Sequence, residues 1–477
     1  DGNQNTYYLE RFGRYEMTIE KYDEAIEIFQ KLTKDELKRK TAFEMLATIY
    51  DRQQRYDDLL KTLDEWTQTC GEDEDVDNMK MKTLDHLKRY DEEIAVIDKL
   101  IATNPDNDYY GIARAQTLLQ KGDTLGAWKG YEAVVKADSG NVSAQMFRVV
   151  YFQTTKNEAA MLNAMEDVIL NNEQPTEMRV SLIKSLMNSL KGTSQEPRLR
   201  KLFERLMDEP LDDRALPELY AQYLASKNEP DSAFVPAMKK IMEIDPNDDQ
   251  ARLILIQDAL NRRAYGEVIA KCKEGMLLNP GKLLYYHLCG GALYQEKQYR
   301  ESLAMFQKGL AYVKTTKDKE TVSNFFSSYA DALHEGGEAQ KAYACYDSAL
   351  VYNPVNVVCL NNYAYFLSLG GEQLNKARQM SERVLKIEPD NATYLDTYAW
   401  ILFMMKDYEQ ARAYMEQALK QVKDSGDDAS LYEHAGDIYI QLGRKQEAQS
   451  AWRKALKLGS NSKLLKKKIK TSKYYRE

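Results

Sequence analysis

Histidine is scarce in this chain, with 4 among 477 residues, which leaves little material for acid–base or metal chemistry. The five cysteines, Cys70, Cys272, Cys289, Cys345 and Cys359, are odd in number and show no CxxC spacing. They read as small buried apolar residues, and neither a disulfide framework nor a zinc site is expected. No apolar run reaches the roughly 18 residues that a membrane span needs. Positive charge is not in excess: the formal net charge is -8. Broad nucleic-acid binding is therefore not expected, because neutralising phosphates takes a surplus of Lys and Arg. The usual catalytic spacings are missing too, with no Gly-rich phosphate loop, HExxH, GxSxG or calcium loop. His86, His287, His334 and His434 are scattered, so no enzyme activity, metal or cofactor is expected. The acidic run 71–77 reads as a solvated turn leading into an acidic helix start.

Proline is also sparse, at 11 residues, but its placement is regular. Pro105, Pro175, Pro210, Pro246, Pro280, Pro354 and Pro389 recur at about 35 residues or about twice that, the mark of a repeat array. Most lie in turns such as TNPDN, IDPND and YNPVN. The residue ahead of a proline is excluded from the helical region, so each turn ends one helix and opens the next unit. Between the turns Ala342, Ala377, Ala411 and Ala448 fall 34 to 37 residues apart. Large residues follow four positions on (Tyr346, Met415, Trp452) and small or apolar ones seven on (Ala349, Val384, Ala418, Ala455). Positions i, i+4 and i+7 share one helical face, so these residues form a packing stripe. A second amphipathic segment precedes each stripe, as in YEHAGDIYIQLG at 432–443 and FFSSYADALHEGG at 325–337. Its closing glycine suits the left-handed residue that ends a helix.

Gly436, Tyr439, Gly443, Ala448, Trp452 and Ala455 resemble the tetratricopeptide repeat, in which a small residue, an aromatic, Gly, Ala, a large residue and Ala occupy fixed slots. The resemblance implies an all-α fold: a right-handed α-solenoid of about thirteen helix-turn-helix repeats with a C-terminal capping helix. Units are expected to start near residues 6, 40, 74, 108, 144, 178, 215, 249, 283, 323, 357, 392 and 429. The expected organisation is an N-terminal array over 1–143, irregular helical repeats or a hinge over 144–214, a C-terminal array over 215–462 and a basic cap over 463–477. In the cap, leucines would cover the last repeat while lysines face water, or instead meet an anionic partner or membrane surface. Residues 360–403 are also similar in wording to paired repeats of Bacteroidetes envelope proteins, which implies a periplasmic or outer-membrane-associated setting, with the cytoplasm as the alternative. The chain opens on Asp1-Gly2-Asn3 without Met, leaving a signal segment or lipid anchor upstream of residue 1 as an expectation.

In this repeat the first helix of each pair lines a groove. The corresponding slots hold Asn324, Asp331 and His334, then Asn361, Asn362 and Tyr365, then Asp396, Trp400 and Phe403, then Glu433, His434 and Asp437. Tyr220, Tyr223 and Tyr294 fall on similar slots, whereas Tyr131, Tyr346 and Tyr439 fall on core slots. Aromatics with polar tips and amides that both donate and accept suit an extended peptide. Repeats that clamp a C-terminal carboxylate use basic residues at these slots. Here acids and amides stand there, so the resemblance implies a basic or neutral segment. The expected function is a non-enzymatic scaffold holding a protein or peptide in its groove, in a bacterial envelope complex. The alternative is a regulatory or substrate-presenting subunit whose catalytic partner is another chain.

Overall fold

The structure, a computed structural model, describes residues 5–138, 140–371, 373–422, 429–460 and 462–475. Among these residues there are 27 α-helices, two short 3-10 turns and no strand. The expected all-α solenoid of paired helices is what forms. First helices begin at residues 6, 39, 74, 108, 142, 176, 215, 249, 283, 319, 357, 392 and 429, within a few residues of the starts read from the sequence. The stretch expected to be irregular keeps the alternation, as Val142–Thr154 with Glu158–Leu170 and Thr176–Leu190 with Pro197–Asp208. Contacts divide the chain into two compact units, 1–222 and 223–477.

Local chemistry explains the punctuation. Asn107, Asn141, Asp248, Asn356 and Asn391 each accept a hydrogen bond from a backbone N–H in the first turn of the helix they precede, which satisfies a donor the helix leaves open. Asp73 does the same within the acidic run, accepting from the Asp75 N–H at 3.1 Å. The turn inside each pair needs one left-handed residue. Gly122, Gly337 and Gly443 supply it at φ 96, 79 and 76°. Lys88, Lys297 and Lys406 fill the equivalent place at φ 56, 60 and 66°, at a cost of roughly 1 kcal/mol each because their Cβ crowds the following carbonyl.

Packing rests on large rings seated against residues without side chains. Within a pair, a Cβ on Gly436 would lie 2.4 Å from the Trp452 ring, and one on Gly290 would lie 2.7 Å from Phe306. Between pairs, Tyr285 lies over Gly275 and Phe325 over Gly309, with Cβ positions 2.4 and 2.6 Å from the rings. Tyr285, Phe325 and Cys359, each two or three residues into the repeat frame of a first helix, are completely buried against the preceding second helix. The equivalent residue of the opening helix Thr6–Thr18 is Tyr8, which is 67% exposed.

Several expectations about single residues change. Tyr220 and Tyr223 are buried rather than offered to the groove; in the first unit, Tyr220 stacks on Phe203 at 4.9 Å. Tyr131 and Tyr346 are core, as their slots imply, while Tyr439 is half-buried. Cys272, Cys289 and Cys359 are buried, but Cys70 is exposed at the end of its helix. The cap helix spans Leu465–Thr471, and Leu465 closes over Ala448, Trp452 and Ala455. Lys463, Lys466, Lys467 and Lys470 are exposed, whereas Lys468 is buried.

Adjacent glycines give a clean check on the ring-on-glycine seats. Gly290→Ala should destabilise the second unit by roughly 1–3 kcal/mol through displacement of Phe306. Gly291, beside it in the helix Leu283–Gln295, has nothing within 4 Å of its Cβ position, so Gly291→Ala should stabilise by up to about 1 kcal/mol. Urea unfolding midpoints of the two variants would show the opposite signs, and a loss in both would rule out the steric account.

Candidate functional site

In the second unit the first helices lie side by side, and their polar side chains bond mainly to one another. His287 Nε2 lies 3.1 Å from Ser328 Oγ. Asn356 Nδ2 donates to Asn324 Oδ1 at 2.9 Å. Asn362 Nδ2 donates to both oxygens of Asp331 at 3.2 and 3.3 Å, and the Tyr346 phenol also donates to Asp331. His434 Nδ1 sits 3.0 and 3.1 Å from the Asp396 oxygens. Lys468 Nζ donates to Glu433 Oε1 at 2.9 Å and Asp437 Oδ2 at 2.6 Å. Trp452 Nε1 adds a bond to Asp437 Oδ1 at 3.0 Å. Each of these pairs except Asp331–Tyr346 and Asp437–Trp452 joins one repeat to the next, making a ladder of rungs.

The twelve residues read from the groove slots therefore divide. Asn324, Asp331, Asn362, Asp396, Glu433, His434 and Asp437 are tied into rungs. His334 stacks on Phe366 with centroids 3.8 Å apart. Asn361 is buried, and its Oδ1 has no partner. Trp400 and Phe403, expected to face a partner, are 7% and 4% exposed. Trp400 is sandwiched by Phe403 at 4.8 Å and His434 at 4.2 Å, because the aromatic slots of neighbouring first helices meet before either reaches solvent. Its indole N–H lacks a partner. Tyr365 remains half-buried, 6.3 Å from the His434 ring. Tyr365, Trp400, Glu433, His434 and Asp437 come together around one cavity of about 330 Å³, which Lys468, Tyr474 and Tyr475 also line. Asn324, Asp331, His334, Asn361, Asn362, Asp396 and Phe403 are not among its lining residues.

Burial sets the electrostatics of the rungs. Loss of solvent pushes the Asp331 carboxyl up to about 6, against the pull of Tyr346 and Asn362. It likewise pushes Asp437 up to about 6, against Lys468, His434 and Trp452. For His434 burial pulls downward, but Asp396, Asp437 and Glu433 outweigh it and hold the imidazole above its ordinary value. For His287 loss of solvent pulls the imidazole down to about 4.

The first unit holds a groove that the slot reading did not include. A depression of about 540 Å³ is floored by Ala47, Leu59, Trp66 and Met79 and rimmed by Lys40, Glu44, Asp51, Asp75 and Lys82. All five rim residues are exposed. Lys40 bonds Asp73 at 3.0 Å. Lys40, Glu44, Thr48 and Asp51 occupy one face of the helix Arg39–Arg52, so the slot rule applied to the unit starting near 40 would have found Glu44, Thr48 and Asp51. Among the described residues no cluster of three or more His, Cys, Asp or Glu side chains could hold a metal ion.

Comparison with known proteins agrees with this geometry. A family model described as a tetratricopeptide repeat matches residues 11–72 and 399–463. The chain carries tetratricopeptide repeats. A general transcriptional corepressor, trfA, of Dictyostelium discoideum is 28% identical over 139 residues, covering 29% of this chain and 10% of that protein. The TPR repeat-containing protein MJ1428 of Methanocaldococcus jannaschii is 29% identical over 171 residues, 36% of this chain and 28% of that protein. The repeats thus match only about a tenth and about a quarter of those two relatives' lengths. Among solved structures, the APC/C hetero-tetramer Cut9–Hcn1 is similar over 98% of this chain and 89% of its own, with a TM-score of 0.42 and 16% identity. A tetratricopeptide repeat protein of Parabacteroides merdae is similar over 53% of this chain and 97% of its own, with a TM-score of 0.39 and 15% identity.

Two measurements test the rungs. Asp331 and Asp437 bind a proton more tightly folded than unfolded, so their contribution grows as pH falls through the folded value of about 6. A raised His434 acts in the same direction, since its contribution is complete below the unfolded value and is lost as pH rises through the folded one. Urea unfolding followed by Trp400 and Trp452 fluorescence should show the second unit gaining up to about 0.8 kcal/mol per carboxyl between pH 7.5 and 5.5. Asp331→Asn should gain less; an unchanged response would mean that Asp331 does not titrate there. Lys468→Met leaves Glu433 and Asp437 facing each other without a cation and should cost about 3 kcal/mol at pH 7.

Proposed function

We propose that this chain is a non-enzymatic interaction scaffold that holds an extended protein segment along its first-helix wall. Tetratricopeptide repeat proteins generally mediate protein–protein contacts. The observation that carries the reading to a particular surface is the depression in the first unit, where an apolar floor lies between exposed Lys40 and Lys82 and exposed Glu44, Asp51 and Asp75. A peptide backbone has donors and acceptors on both sides, and a rim of both signs over an apolar floor can meet it. The second unit spends most of its polar slots on holding itself together, so its contribution is the smaller cavity around Trp400. Groove binding there through Tyr365, Trp400 and His434 is the part of the reading that comes from the repeat slots.

We assign the chain to a bacterial cell-envelope complex on the similarity in wording of residues 360–403. No described helix is long and apolar enough to cross a membrane, so membrane attachment through these repeats would need an anchor elsewhere. Fractionation of cells producing the full precursor tests that setting, and recovery of the protein only with cytosolic markers would refute it.

The groove assignment is tested by photo-crosslinking. A benzophenone amino acid at Thr48, in the depression, should yield a discrete partner adduct, while one at Lys61, exposed on the neighbouring second helix, should not. Reversing Glu44 and Asp51 to Lys should reduce the Thr48 adduct at least fivefold with the helical circular dichroism unchanged. Equal adducts from both positions would remove the first-unit groove from consideration.

A further inference from the structure

The segment after the cap helix does not run away from the repeats. Ser472 adopts φ 50 and ψ 45°, a left-handed residue that reverses the chain, and its N–H donates to the Lys468 carbonyl at 2.9 Å. Gln449 Nε2 clamps the reversal by donating to the Ile469 carbonyl at 2.6 Å and to Ser472 Oγ at 2.9 Å. Tyr474 then reaches Phe403, edge to face at 5.2 Å. Phe403 belongs to the helix Ala392–Met404, and the first helix Ala429–Gln441 lies between it and the cap in repeat order. The tail therefore crosses the wall of one whole repeat to seat its ring in the preceding one. There Tyr474 and Tyr475 line the same cavity as Tyr365, Trp400 and His434. Lys468 Nζ lies 5.6 Å from the Tyr474 ring and Lys467 Nζ 4.0 Å from that of Tyr475.

We propose that residues 472–475 are an internal occupant of the second-unit groove, and that this groove takes an extended segment of another protein with a tyrosine beside basic residues. The chemistry of the occupant follows from what it meets. The ring finds Phe403 and the Trp400 cavity, where a flat amphipathic side chain gains contact area at low entropy cost. Lys468, in the cap helix before it, bonds both Glu433 and Asp437, so the wall beside the ring sets two carboxylates against one ammonium. Beyond Ser472 the described tail is outside any helix, and segments outside packed regular structure open at lower cost than the helices they lie on. A tethered occupant nevertheless acts at an effective concentration near millimolar, so a partner's segment must displace it and the apparent affinity of the intact chain falls accordingly.

The inference rests on the groove reading for the second unit and has its own test. A fluorescein-labelled peptide of residues 470–477, KTSKYYRE, is titrated into the intact chain and into a chain ended after Thr471, which keeps Leu465 and Lys468 in place. The shortened chain should bind the peptide at least tenfold more tightly than the intact one. Tyr474→Ala in the intact chain should recover most of that gain without any truncation. Replacing the first tyrosine of the peptide by alanine, or scrambling its order, should weaken binding to the shortened chain at least tenfold. Equal affinity of the intact and shortened chains, no binding by the shortened chain, or equal binding of the scrambled peptide would each overturn the proposal. Thr48 adducts in the first unit do not depend on the tail, so loss of this inference is distinguishable from loss of the scaffold reading.

Discussion

The stack depends on large side chains lying against residues that have little or no side chain. Trp452 on Gly436 and Phe306 on Gly290 set the distance within a helix pair; Tyr285 on Gly275 and Phe325 on Gly309 set it between pairs. A single pair cannot bury its own apolar face, so stability comes from repeating this contact along the stack. The close approach has a second effect. It brings successive first helices near enough for short polar side chains to bond across the junction: His287–Ser328 forms where Phe325 lies on Gly309, and Asp331–Asn362 and Asp396–His434 form where the buried Ala349 and Ala418 take the glycine's place.

The rungs change what a polar groove means. A carboxylate or amide on the inner wall looks, in one repeat taken alone, like a group waiting for a ligand. In the stack it is already bonded to the neighbouring repeat, and leaving it unbonded in a half-buried place would be costly. Asp437 is the clearest case: almost fully buried, it takes bonds from Trp452 in its own pair and from Lys468 in the cap. The recognition surfaces proposed above, the mixed-charge depression of the first unit and the cavity beside Trp400, are the places where open space remains beside such bonded pairs.

The cap shows the same logic continued past the last pair. Leu465 sits where Tyr285 and Phe325 sit in earlier repeats, against the preceding second helix, and Lys468 sits where Asn362 sits, bonded to the acid of the preceding first helix. The helix Leu465–Thr471 is thus half of a further repeat, with a lysine in the rung slot. That substitution lets two acids, Glu433 and Asp437, be buried together, since one ammonium with three donors can serve both.

The periodic alanines, the asparagine and aspartate caps and the proline turns determined the helix pairs, their starts and the solenoid, because those signals are local and act through the same backbone geometry in every repeat. Slot positions also predicted a groove-facing side for each first helix. Tertiary structure decided which inward residues are free. Trp400 and Phe403 are hidden because rings from adjacent helices and from the tail converge on them, and Lys468 is buried within a lysine-rich segment whose pattern reads as solvated. Those outcomes depend on pairs far apart in sequence, such as His434 with Asp396, 38 residues apart, and Tyr474 with Phe403, 71 apart. A one-dimensional pattern fixes the face a side chain is on, but only the stacked neighbours determine whether that face still meets water.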